Sequence, residues 1–132
     1  MFCWPVSIYY EDVDAGGVVY HANYLKFFER ARTEWLKSFG VQQSALLAEN
    51  IAFVVSHADL NFRRPAKFEQ ELVVKSSIAV LKKASLIFKQ DLVDEADNCY
   101  CTGLITVACV QLSRMRPFAI PPYIVQEFTR AS

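Results

Sequence analysis

Residues 9–24 carry most of the chemistry this chain can offer: Tyr9-Tyr10-Glu11-Asp12-Val13-Asp14-Ala15-Gly16-Gly17-Val18-Val19-Tyr20-His21-Ala22-Asn23-Tyr24. Asp14 stands two residues before Gly16-Gly17 and seven before His21. Glycines accept φ > 0 and let a ligand approach the backbone closely. A helix that begins after them offers unpaired N–H groups and the positive end of its dipole. An ester or thioester carbonyl set there would have its oxygen polarised by N–H donors. A carboxylate on its other side could attack the carbon or activate a water. The helix dipole also keeps that carboxylate ionised, which suits a nucleophile and makes a weak base, so both roles stay open. The same residues have plainer readings. Asp and Gly dominate ordinary turns. Glu11, Asp12 and Asp14 supply hard oxygens for a divalent cation. A lone histidine is often a helix-start or core residue.

The elements that must hold this segment are legible on either side. Residues 4–9 read as a short first strand. Over 23–39 the apolar residues Tyr24, Phe27, Phe28, Ala31, Trp35, Leu36 and Phe39 follow helical spacing. Gly40 is placed as the left-handed residue that stops the helix, with apolar Val41 behind it. A shorter helix is expected over 43–49. From Ala52 onward the period changes to two. Strands are expected over 54–63, with Val54, Ala58, Leu60 and Phe62 on one face, and over 72–81, with Leu72, Val74, Ile78 and Val80 on one face. Two more are expected over 85–92 and 102–112. The chain closes on Pro121-Pro122 and a helical turn or two with Ile124, Val125 and Phe128. Short connections at 82–84 and 93–98 make the neighbouring strands antiparallel. A helix over 23–39 and an eight-residue strand are both about 25 Å long, so a sheet can lie along the helix and curl around it. The expected fold is α+β, a curved antiparallel sheet wrapped around one long central helix. The strand bearing Cys101, Ile105, Val107 and Cys109 would then leave apolar surface on the outer sheet face, which points to at least a dimer.

The 132 residues form one domain, 1–132, that can bury a core unaided. With 53% hydrophobic residues, disorder is excluded. The 14 basic and 14 acidic residues cancel, so nothing in the charge balance calls for nucleic acid or an anionic membrane. No apolar run spans a bilayer and no signal segment opens the chain, which predicts a cytoplasmic protein. Cys99 and Cys101 form C-x-C, with Cys3 and Cys109 apart from them; this spacing does not match a zinc site, and free thiols are expected.

The string from Tyr9 to Tyr24, followed by Phe28-Glu29-Arg30-Ala31-Arg32-Thr33-Glu34, resembles the signature of the 4-hydroxybenzoyl-CoA thioesterase family, and within it the YbgC-type acyl-CoA thioesterases associated with the Tol-Pal system. Further similarity runs through Ala52-Phe53-Val54-Val55, Arg64-Pro65-Ala66 and Met115-Arg116-Pro117. The resemblance implies a hotdog fold paired into homodimers or homotetramers, with the active site at the subunit interface and neither metal nor redox cofactor. It implies that Asp14 is the catalytic carboxylate, as nucleophile or general base, and that the His21 N–H faces the thioester oxygen. The His21 imidazole is a further catalytic candidate. Substrate-binding candidates are Gly17, Val18, Tyr20, Phe53 and Val55 beside the acyl group. Lys82 and Lys83 are candidates for the coenzyme A phosphates, with Arg63, Arg64, Lys67, Arg114 and Arg116 as further basic residues. The expected activity is hydrolysis of an acyl-CoA or acyl-carrier-protein thioester. The alternatives are a hotdog dehydratase acting on 3-hydroxyacyl thioesters and a non-catalytic acyl-thioester binding protein.

Overall fold

A computed structural model describes residues 1–131; Ser132, the last residue of the expected single domain, lies outside the described residues. The elements run β1 (Phe2–Ser7), a one-turn 3₁₀ helix (Tyr10–Asp12), α1 (Asn23–Ser38), α2 (Gln43–Ala48), β2 (Ile51–Phe62), β3 (Glu71–Leu81), β4 (Ser85–Val93), β5 (Cys99–Gln111), β6 (Arg116–Pro117) and α3 (Pro122–Ala131). The sheet has the order β1-β3-β4-β5-β2, with β6 against the end of β5, and every pairing is antiparallel.

The helix α1 lies on the inner face of this sheet. Phe27, Phe28, Ala31, Trp35 and Leu36 form its buried stripe. The chain leaves α1 as expected: Val41 N–H donates to Leu36 O (3.0 Å) and Gly40 N–H to Lys37 O (2.8 Å), with Gly40 at φ +80°. This is a Schellman stop, and buried Val41 closes it from outside. Opposite Phe28 the sheet comes closest at Gly103. A Cβ there would lie 2.7 Å from Leu60 Cδ2 and 3.0 Å from Phe28 Cε2.

Several details differ from the sequence reading. β1 ends at Ser7 rather than residue 9 because the Asp12 carboxylate accepts the Tyr9 N–H (2.9 Å) and folds the chain into the 3₁₀ turn. β2 begins at Ile51, and a bulge between Val55 and His57 inserts Ser56. The bulge changes the strand's phase, since residues directly opposed across a ladder share a face. Phe53 and Val55, opposite Cys109 and Val107, face the helix with Ala58, Leu60 and Phe62, whereas Val54 faces outward. A second bulge between Ile78 and Val80 likewise turns Val80 to the outer face, opposite Ile87.

The expected outer apolar patch is also corrected. Cys101, Ile105, Val107 and Cys109 are buried on the helix face, and the outer face of β5 carries Thr102, Leu104, Thr106 and Ala108. Their alternation was masked in sequence because both faces of β5 are small or apolar. β6 was not expected, and α3 is nearly three turns long. Its Phe128 closes an aromatic cluster on Trp35 (5.1 Å), Phe39 (5.2 Å) and Phe88 (5.8 Å). The other edge strand, β2, is twelve residues long and pairs on one side only among the described residues, with Val55 and Phe62 exposed.

The Gly103 approach yields a direct test. Gly103→Ala is expected to lower stability by about 1–3 kcal/mol, because the buried Phe28 ring has nowhere to retreat. Chemical denaturation measures this, and an unchanged midpoint would show that the contact relaxes freely.

Candidate active site

The two aspartates of the motif take different fates. Asp12 is buried, and both of its carboxylate oxygens are used. Oδ2 accepts the Tyr9 N–H at 2.9 Å and Oδ1 accepts Asn23 Nδ2 at 3.1 Å. Its carbonyl accepts the Tyr20 N–H at 3.0 Å. Asp12 therefore ties the exit of β1 to the first residue of α1. Asp14 is exposed and belongs to a tight loop closed by a Val13–Val19 bridge. Asp14 N–H donates to Val18 O (2.9 Å), and Gly17 N–H, at φ +78°, donates back to Asp14 O (3.0 Å). A side chain at Gly17 would be strained in this conformation. The one hydrogen bond to the Asp14 carboxylate comes from Gly16 N–H (2.9 Å), among the described residues. The loop is docked rather than free. Val19 N–H donates to Ala66 O (2.8 Å), and Phe68 N–H donates to Gly17 O (3.2 Å).

Helix α1 begins nine residues after Asp14 with Ala22 at the N-cap, no side-chain cap and no acid in its first turn. Helices normally satisfy their first N–H groups with a Ser, Thr, Asp or Asn cap. Here Asn23 N–H donates to Tyr20 O (2.8 Å), while no hydrogen bond among the described residues takes up the His21 N–H. The His21 N–H, just ahead of the N-cap, is left for an incoming oxygen, with the dipole behind it. The exposed His21 imidazole packs on Tyr20 (4.5 Å between ring centres) and edge-on to Phe62 (6.3 Å). It makes no hydrogen bond with either aspartate among the described residues.

The remaining candidates divide into three places. Around Asp14, the surface hollow is completed by Tyr10, Val13, Ala15, Gly17 and Phe68. The Tyr10 and Phe68 rings lie 5.6 Å apart, and both are exposed. Phe68 was absent from the sequence reading. The available signal was an aromatic residue in an otherwise polar connection, Ala66-Lys67-Phe68-Glu69-Gln70. Beside His21 lies a second hollow with Tyr24, Phe62, Arg63 and Arg64. Tyr20 is half exposed and Val18 half-buried. Phe53 and Val55 instead line a pocket under the C-terminal half of α1, near Thr33 and Leu36.

Lys82 and Lys83 sit at the β3–β4 turn, where Ile120 N–H donates to Lys83 O (2.9 Å). Asp14 and its loop lie beyond the opposite end of β3, an element about 35 Å long. Within one chain these lysines and Asp14 are not neighbours. Relative to β2, the start of α1 is at the Phe62 end, where Tyr24 and Phe62 are 5.5 Å apart. The lysine turn is at the Ile51 end, through Ser85 opposite Ala108 and Ala108 opposite Val54.

Cys99, Cys101 and Cys109 are poorly suited to attack. Burial pushes Cys101 up to about 12 and raises Cys99 and Cys109 as well. Burial also raises the Tyr24 phenol, whose oxygen accepts the Ala66 N–H at 3.2 Å and so anchors α1 beneath the docked loop. Among the described residues, no three His, Cys, Asp or Glu side chains are grouped to hold a metal ion. No helix there is long and apolar enough to cross a membrane.

Comparison with known proteins gives a consistent picture. A family model described as the thioesterase-like superfamily matches residues 9–128. The acyl-CoA thioester hydrolase YbgC of Escherichia coli is 43% identical over 128 residues, covering 97% of this chain and 96% of its own. The acyl-CoA thioesterase YbgC of Haemophilus influenzae is 42% identical over 128 residues, covering 96% and 93%. The crystal structure of a 1,4-dihydroxy-2-naphthoyl-CoA thioesterase from Synechocystis superposes with a TM-score of 0.91 at 20% identity, over 97% of this chain and 95% of its own. At that identity the likeness speaks for the fold alone, a hotdog.

The contrast between the aspartates is measurable without any substrate. Asp12→Ala is expected to cost about 2–3 kcal/mol, since it leaves the Tyr9 N–H and the Asn23 amide without their acceptor. Asp14→Asn is expected to stay within about 0.5 kcal/mol of the parent, as exposed substitutions usually do. Thermal melts of both variants decide it, and equal losses would refute the division of roles.

Proposed function

The chain belongs to the thioesterase-like superfamily and is an acyl-CoA thioesterase; we propose that Asp14 is its catalytic carboxylate and the His21 N–H its oxyanion donor. The observation that carries this is an exposed Asp14 carboxylate, held by a docked glycine loop ahead of a helix that begins without a cap. Asp12 cannot share the task, because its oxygens are spent on the fold.

Two routes use the same atoms. As general base, Asp14 takes a proton from water while the water oxygen adds to the thioester carbon. The carbonyl oxygen becomes an oxyanion and accepts the His21 N–H. The C–S bond then breaks, and the thiolate of CoA leaves, taking up a proton. As nucleophile, a carboxylate oxygen adds to the same carbon and expels the thiolate, leaving a mixed anhydride that water hydrolyses. The exposed carboxylate suits either route.

The geometry also supports a site completed by a second copy. If two β2 edges pair antiparallel about a two-fold axis, the Phe62 end of one meets the Ile51 end of the other. The turn carrying Lys82 and Lys83 in one subunit then comes to the same end as Asp14 and His21 of its partner. Phe53 and Val55 come to that end as well, beside the acyl group, with Gly17, Val18 and Tyr20 nearer the motif. A long one-sided strand with exposed apolar residues is suited to such pairing. The two lysines would meet the phosphates of coenzyme A, and a carrier-protein thioester would use the same carboxylate. A cytoplasmic location belongs to this reading.

Thiol release from a panel of short, long and aromatic acyl-CoAs tests the assignment, with enzyme-only controls for the four cysteines. Asp14→Asn is expected to lower kcat by about 10²–10⁴ while the melting temperature holds. Full turnover in the variant would remove Asp14 from the mechanism. Replacing Lys82 and Lys83 together by Ala is expected to raise KM several-fold with kcat little changed. Sedimentation is expected to show at least a dimer, and an active monomer would refute the shared site.

A further inference from the structure

The pocket under the C-terminal half of α1 has an apolar wall of Phe53, Leu86, Phe88, Val107 and Phe128, and Glu29, Arg32, Thr33 and Gln43 make up its polar side. Its volume is about 80 Å³, open on one side, room for the end of a chain rather than for a whole ligand. Its one cation is Arg32, with exposed Glu29 on the same rim. Arg32, only 8% exposed, lies on the helix face that covers the pocket.

Its guanidinium has five N–H donors, and within the protein it uses one nitrogen: Nη1 donates to Gln90 Oε1 at 3.0 Å. Gln90 is neutral, fully buried and otherwise occupied, its Nε2 donating to Phe28 O (3.0 Å) and Ser76 Oγ (2.9 Å). The Phe88 ring lies 5.9 Å from Cζ. No carboxylate is within ion-pair distance of Arg32 among the described residues. Glu29, one turn back on the same rim, acts on it only at a distance. No buried side-chain nitrogen among the described residues lacks both a partner and solvent access, so Nε and Nη2 are not sealed off, and Arg32 is among the residues that line the pocket. Burial lowers the guanidinium to about 10, so it remains charged at neutral pH.

A buried cation without a countercharge is costly, and an arginine fork is suited to a planar oxygen pair. We propose that Arg32 is a specificity residue of the thioesterase, receiving a carboxylate at the far end of the acyl group while the aromatic wall covers the carbon chain between. This rests on the two-fold arrangement above, which brings this pocket to the end occupied by the partner's catalytic loop. The same carboxylate chemistry is offered by a free fatty acid, the product of hydrolysis, and the experiment separates the two sources.

Adipyl-CoA and hexanoyl-CoA have acyl chains of equal length and differ in the terminal carboxylate. The wild type is expected to favour adipyl-CoA by about 10- to 100-fold in kcat/KM, the worth of a charge-assisted hydrogen-bonded pair. In Arg32→Gln the ratio is expected to fall to about one, and in Arg32→Lys to lie between. Equal kcat/KM for the two esters in the wild type overturns the proposal, and this arm needs no variant to fold. A ratio unchanged in folded Arg32→Gln overturns it too. So does hexanoate inhibition that depends on Arg32 without any ester preference, since Arg32 would then hold the product acid. If neither ester is hydrolysed, the acyl-CoA panel above tests the thioesterase reading separately. Calorimetric binding of the two intact esters then decides the role of Arg32, with adipyl-CoA about 10-fold tighter if the proposal holds and equal affinities if it does not.

Discussion

The close approach of α1 to the sheet is the constraint on which everything else depends. Phe28, fully buried, sits over Gly103 because no Cβ intervenes there. That contact fixes the depth of the helix, and Ala31 and Trp35 continue it along the same stripe. With the helix seated this deeply, its polar groups must be satisfied from the sheet side. Gln90 reaches up from β4 to the Phe28 carbonyl and to Arg32, and Ser76 of β3 supports Gln90 from beside it. The core beneath the helix is thus apolar in its mass, with Gln90 as a polar node joining Ser76, the Phe28 carbonyl and one nitrogen of Arg32.

The position of the helix start follows from the same seating. Tyr24 anchors it to Ala66, and Asp12 anchors it to the end of β1. Both anchors are buried hydrogen bonds, so the residues between them have little freedom. The loop carrying Asp14 is stretched between these fixed points and docked on 66–68. In the proposed role Asp14 needs such support, because a group that waters and loop motion could displace would not stay aligned with the helix N-terminus. The absence of a capping side chain at Ala22 is a local cost in helix stability. The His21 N–H just ahead of it is left for a ligand, a compromise common where structure serves chemistry.

Arg32 illustrates the other way in which a fold can hold a charge in reserve. Among the described residues no carboxylate pairs with it directly, Glu29 acts on it only at a distance, and its one hydrogen-bond acceptor is an amide. The aromatic cluster of Trp35, Phe39, Phe88 and Phe128 keeps water from the helix end and shapes the apolar wall opposite the cation. A site of this kind recognises by contrast: a hydrocarbon fits the wall, and an oxygen pair fits the fork.

The sequence by itself determined the long helix, its glycine stop, the antiparallel strands and the motif around Asp14. These depend on local periodicity and turn chemistry, which nearest neighbours in the chain decide. It singled out Asp14 by its place before the glycines and by resemblance, but gave Asp12 no role of its own beyond a turn or a cation ligand, because what an acid in a turn does depends on what surrounds it in space. Tertiary structure separated them by burying one under Tyr9 and Asn23 and exposing the other. It also moved Val54 and Val80 to the outer face, since a single bulged residue changes the phase of all that follows and has no compositional mark. Cys101 and Ile105 went inward for a similar reason: β5 is small or apolar on both faces, so alternation alone could not say which face the helix would cover. The lysines of the β3–β4 turn were legible as a basic pair but not as distant from Asp14, because distance along a sheet depends on pairing register. Arg32 was legible only as a member of a motif; that it has no direct ion pair among the described residues is a property of the packed core, where charge is costly and partners are counted in ångströms.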